Sequence, residues 1–168
     1  MGRLRTTLLG TVCALTLVAG GAAVASADEG GTLLTFHSMT AVTGSAVGAV
    51  NDRGITGGGK PWVITAGSGV LDRDGHLRVS VTGLVIPVPP FNGTNPVGKF
   101  AAIVSCRTTH NGVMNILTAP VTTNSAGDAT IDTTVSLPHP CIQPIVFVTS
   151  PGGAWFAMSN SEEDDNPS

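Results

Sequence analysis

Cys106, His110 and Met114 stand in "SCRTTHNGVMN" at the spacing C-x3-H-x3-M, and His37 and His76 lie upstream. A thiolate, two imidazoles and a weak thioether are the ligand types that hold copper in electron-transfer sites. Three features weigh against copper here. Cys141 is available to consume Cys106, and more than fifty residues follow Cys106, where such a ligand loop normally precedes only the last strand. The stretch also reads well as strand, Asn-Gly turn, strand. Cys106, His110, His139 and Cys141 would likewise supply a Cys2His2 zinc set, but C-x3-H and H-x-C are not the spacings of a zinc finger. The reading we carry forward is a Cys106–Cys141 disulfide and no metal or other cofactor.

"GITGGGKP" at 54–61 matches the phosphate-loop pattern G-x-x-x-x-G-K through Lys60 and then places Pro61 where Ser or Thr is needed. Pro61 has neither a hydroxyl for Mg²⁺ nor an amide hydrogen. The flanking "VNDR" is polar and "PWVITAG" is β-like, so the loop lacks the buried strand and helix that direct amides at phosphates. Gly57, Gly58 and Gly59 are expected to form a mobile connection between strands, and no nucleotide is expected. "DRDG" at 72–75 lacks the later oxygen ligands of a calcium loop and fits a hairpin turn better. No G-x-S-x-G occurs, and the isolated histidines and scattered aspartates single out no acid/base pair, so we expect no catalytic residues and no enzyme.

The elements that must position these residues are β-strands. In "HLRVSVT", Leu77, Val79 and Val81 alternate with His76, Arg78, Ser80 and Thr82, which puts the apolar set on one face. This arm and "WVITAGSGVL" flank "DRDG", whose Gly75 supplies the positive φ of a tight turn. Further strands are expected at "KFAAIVSCR", "VMNILTA", "ATIDTTVSL", "IVFVTS" and "AWFAMS", with a weaker one at "SAVGAV". The proline-rich "PVPPFNGTNP" is expected to be an extended surface loop. Trp155 and Phe156 are adjacent in a strand and must point to opposite faces, so a covering segment such as "PVPPF" is needed if both are buried. The whole predicts an all-β, single-domain antiparallel β-sandwich of about seven to nine short strands.

The N-terminus sets the compartment. Arg3 and Arg5 precede an apolar run from Leu8 to about Val24, and Ala25-Ser26-Ala27 has the small residues of a cleavage site. A signal peptide over 1–27 is expected, cut between Ala27 and Asp28, followed by an N-terminal segment 28–44, the sandwich over 45–159 and an acidic disordered tail over 160–168. The body between the termini is nearly neutral and has no basic stripe, which argues against nucleic acid. No membrane association is expected after cleavage.

"GLVIP", "NPVGKFAAIVSC" and "CIQPIVFVTSPGGAWFAM" resemble segments of uncharacterised secreted proteins of actinobacteria. The resemblance spans about residues 46–159 and implies secretion and a compact domain, with no chemistry attached. The expectation is therefore a secreted, non-enzymatic interaction or structural module with an extracellular or envelope partner. Its alternative is a secreted, cupredoxin-like copper protein.

Overall fold

The computed structural model describes residues 31–109 and 111–160. The expected signal segment, Ala27 and Asp28, His110 and residues 161–168 lie outside the described residues. Among the described residues there are ten strands: β1 (Thr32–Phe36), β2 (Met39–Ala41), β3 (Ala66–Asp72), β4 (His76–Thr82), β5 (Lys99–Arg107), β6 (Val113–Leu117), β7 (Val121–Thr122), β8 (Ala129–Thr134), β9 (Ile142–Thr149) and β10 (Trp155–Ser159). They form two antiparallel sheets. The smaller has the order β1-β3-β4-β8, and the larger has β2-β10-β9-β5-β6, with β7 pairing the start of β5. The sandwich is the expected architecture, and the strands not foreseen are the short β1, β2 and β7.

The period-two reading of β4 holds residue by residue. Leu77, Val79 and Val81 are buried while Arg78, Ser80 and Thr82 are exposed. The hairpin register pairs Leu71 with Leu77 and Val70 with Arg78. Gly75 takes φ +89 in the connecting turn, where a Cβ would also strike the Val135 carbonyl. Asp74 accepts a hydrogen bond from the His76 amide at 3.3 Å, so its carboxylate serves the turn.

Strands of the larger sheet behave differently. Phe100 through Cys106 are all buried, as are Val146 through Thr149, because both faces of this sheet are covered. Phe100, Val104 and Cys106 face the smaller sheet; Ile103 and Ser105 face outward. Between the sheets, Trp62 stacks on Phe156 at 4.1 Å, and Phe100 meets both rings edge-on at 6.2 and 5.9 Å. Aromatic contacts of this kind add about 0.5–1.5 kcal/mol each beyond the area they bury.

"SAVGAV" is not a strand. Gly44–Ala46 form a short 3-10 turn, and Gly44 and Gly48 adopt φ +54 and +70, which break extended pairing. The segment expected to be an extended surface loop is a loop but a turned one: Phe91 and Asn92 donate to the Val88 carbonyl, and an Ile86–Thr94 bridge closes it.

Candidate functional site: the outer face and free edge of the larger sheet

The cysteines meet. Cys106 near the end of β5 is bonded to Cys141, just before β9, with Cα atoms 4.9 Å apart. A sulfur held in a disulfide offers no thiolate, so the Cys-His-Met and Cys2His2 sets both lose their strongest ligands. Met114 lies exposed on β6, while His37 lies exposed in the β1–β2 turn. His76 belongs to the other sheet, where its Nε2 is 2.8 Å from Asp132. These residues do not converge on one point.

Beside the disulfide, β5 and β9 pair with a bulge: Ser105 faces Ile145, Arg107 faces Ile142, and Gln143 and Pro144 fill the extra length. Gln143 takes φ +46 there. The bulge turns two carbonyls away from the ladder, and Arg53 binds both. Its Nη2 donates to the Gln143 carbonyl at 2.8 Å and its Nη1 to the Ser105 carbonyl at 3.4 Å. Arg53 is only 4% exposed. Burial pushes its pKa down, Arg107 adds to that, and Asp52 opposes it; a guanidinium stays charged regardless. Asp52 also accepts a hydrogen bond from Arg107 at 3.0 Å, joining the buried cation to an exposed ion pair.

Arg53 anchors a segment that crosses the whole outer face. The Asn115 side chain on β6 donates to the Arg53 carbonyl at 2.8 Å. At the far side, the Trp155 amide on β10 donates to Thr56, and the Gly58 amide donates to Trp155. Residues 51–58 therefore span β6, β5, β9 and β10, and Ile55 is buried on the way. Trp155 packs edge-on against Phe147 at 5.8 Å, on the face opposite Phe156. Both aromatic neighbours are buried, on opposite faces as their alternation requires, and residues 56–58 rather than "PVPPF" lie against Trp155. Arg53 Nε, Ser105 Oγ and Trp155 Nε1 are buried without a hydrogen-bond partner among the described residues, and all three belong to this face.

The phosphate-like stretch is part of the same cover, and it corrects the expected mobile connection. Gly57 donates to the Ala49 carbonyl, and the Gly58 carbonyl accepts from Gly48. A Cβ at Gly57 would collide with the Ala46 carbonyl oxygen, and one at Gly58 would press on Phe156 and Trp62 at 3.0 Å. Of the three consecutive glycines, Gly59 alone has open space around it. These glycines permit close backbone approach, and the amides of Gly57 and Gly58 are already engaged. Lys60 and Gly59 are exposed, and the chain then enters the core at Trp62 rather than opening a helix.

Among the described residues, no strand pairs with the outer edge of β6. Thr118 donates to Ala102, and Thr108 donates to Gly112, which fixes the alternation of the β5–β6 ladder. Even-numbered β6 residues exchange hydrogen bonds with β5, so Val113, Asn115 and Leu117 direct their amides and carbonyls away from the sheet. Val113, Met114 and Leu117 are 38%, 46% and 47% exposed, and "VMNIL" carries no charge. The other edges are better guarded. β2 has three residues, β1 carries a register shift, and β8 presents Asp132 within an ion-paired cluster.

Two recesses flank these features. One of about 330 Å³ lies between Ile55, Thr56, Ile103, Asn115 and Gly153 on the covered face. The other, open and about 930 Å³, lies at the end of the sandwich between Leu33, Arg73, Val135, Leu137 and His139. No helix among the described residues is long and apolar enough to cross a membrane. Comparison of the chain with family models, with curated proteins and with solved structures returned no match.

The β6 edge and the Arg53 anchor were not singled out from sequence. The first had a signal, an uncharged "VMNIL" between turn formers. The second had none, since nothing in "NDRG" marks its arginine as the one that binds a bulge ninety residues later.

Proposed function

We propose that the chain is a secreted, non-enzymatic module of the extracellular space or cell envelope that binds or assembles through the free β6 edge. The observation that carries this is the edge itself: three outward sets of backbone donors and acceptors, flanked by exposed Val113, Met114 and Leu117. Strand addition to such an edge takes affinity from main-chain hydrogen bonds and selectivity from alternate side chains. The Cys106–Cys141 bridge is compatible with an oxidising compartment. The engaged amides of Gly57 and Gly58 support leaving nucleotides aside. No observation favours the copper alternative, whose thiolate is bonded to Cys141.

Chemical cross-linking on secreting cells tests the reading. Wild-type chain should give higher-mass adducts that the double variant Val113→Lys/Leu117→Lys loses while keeping its β spectrum. Equal adduct yields from both would overturn the assignment of function to this edge.

A further inference from the structure

We propose that β6 pairs with β6 of a second copy, antiparallel about a two-fold axis through Asn115, joining two larger sheets into one. The proposal rests on the reading of the edge as an assembly surface and names its partner.

The argument is register. A two-fold axis at Asn115 sets Val113 opposite Leu117 of the second copy, Asn115 opposite Asn115, and Leu117 opposite Val113. These odd-numbered residues are the ones whose amides and carbonyls point outward, so the three facing pairs can exchange about six hydrogen bonds. The intervening pairs set Met114 opposite Ile116 on the other face. Every exposed apolar side chain of "VMNIL" thus meets an apolar partner, and the polar residue meets itself. Sliding by two residues in either direction places Asn115 opposite Leu117 or Val113 and loses that match. Parity excludes a slip of one, because outward-facing groups would then meet none.

Charge agrees with symmetry. A two-fold edge contact brings residues close to their own copies, so a charge near the axis would repel itself. β6 has none; of the cations beside it, Arg107 is paired with Asp52, and Arg53, whose carbonyl accepts from Asn115, is buried. The ladder also has a defined end, because Pro120 lacks an amide hydrogen beyond Thr118. Five residues of pairing bury less than a standard interface, so the dimer should be weak, in the micromolar range.

Sedimentation velocity of the purified chain, unreduced, across a concentration series from low micromolar to near-millimolar tests this directly. A reversible monomer–dimer equilibrium is expected. Val113→Lys/Leu117→Lys places lysines opposite one another across the axis and should weaken the dimer at least about tenfold. Val113→Glu/Leu117→Lys places Glu opposite Lys in this register alone and should recover the dimer. A wild-type chain that stays monomeric throughout overturns the proposal without the variants. So does a dimer indifferent to the paired lysines, or one that Val113→Glu/Leu117→Lys fails to recover. Edge-dependent adducts on cells together with a monomeric purified chain would reject self-pairing and leave the functional reading standing.

Discussion

On the outer face of the smaller sheet, Arg78, Ser80, Thr130 and Asp132 are exposed to water, and His76 is partly so. On the outer face of the larger sheet, Ile103, Ser105, Phe147 and Thr149 are buried, with residues 51–58 crossing that face from β6 to β10. The first face satisfies itself with a surface ion-pair cluster, in which Arg78 donates to Asp132 at 3.0 and 2.6 Å and His76 lies at 2.8 Å. The second needs a buried arginine to satisfy carbonyls that its bulge has exposed. Exposed pairs contribute little because water and salt screen them. A buried cation holding two carbonyls is costly to remove, because whatever remains is left unpaired. Stability should therefore be concentrated on the larger sheet, and the substitutions below test that asymmetry.

The largest effect should come from the bridge that closes the bulged end. Cys106→Ser with Cys141→Ser opens a loop of 35 residues and should lower stability by about 2–4 kcal/mol, with the β spectrum retained. Denaturant unfolding of the two proteins measures it. A loss below about 1 kcal/mol would mean that strand pairing alone holds this end. Arg53→Ala should follow, at about 2–3 kcal/mol, since the Gln143 and Ser105 carbonyls lose their donor. Hydrogen exchange should then rise at Ile55 and Gly58, in the segment Arg53 anchors. Unchanged exchange there would detach the arginine from the cover.

The same asymmetry explains what the sequence discloses. β4 meets water on one face, so its alternation of Leu77, Val79 and Val81 with polar residues is visible directly. β5 and β9 are buried on both faces, and "FAAIVSC" and "IVFV" read as continuous apolar runs that name a strand without naming its faces. Adjacent Trp155 and Phe156 implied opposite faces and a cover if both were buried, but the segment suggested for it, "PVPPF", is not the one that lies there. That cover is glycines and polar residues around one apolar Ile55, with little periodicity. Beyond the Arg53 and Asn115 side chains it is held by backbone hydrogen bonds that any residue type can make. β1, β2 and β7 were missed for a related reason. They have five residues or fewer, and their pairing is decided by neighbours remote in sequence. The disulfide was legible because, outside the expected signal segment with its Cys13, Cys106 and Cys141 are the two cysteines left to pair.

The smallest effect belongs to the smaller sheet, and its pH dependence identifies it. The hydrogen bond to Asp132 raises the His76 pKa above its ordinary 6.5, and Asp72 nearby adds to this. The same contact, with Arg78, lowers the Asp132 pKa below its ordinary 3.8. A raised imidazole value stabilises the fold fully below 6.5 and loses that contribution as pH rises through the folded value. A lowered carboxylate value stabilises the fold above 3.8 and loses it as pH falls through the folded value. The cluster therefore contributes most between those limits, in mildly acidic solution. His76→Gln should lower the thermal midpoint near pH 5.5 by a small amount, and by still less near pH 8.5, since the contribution is lost as pH rises through the folded value. High salt should shrink the difference further, since these side chains are solvated. An effect larger than that of Arg53→Ala, or one equal at both pH values, would break the contrast between the two faces.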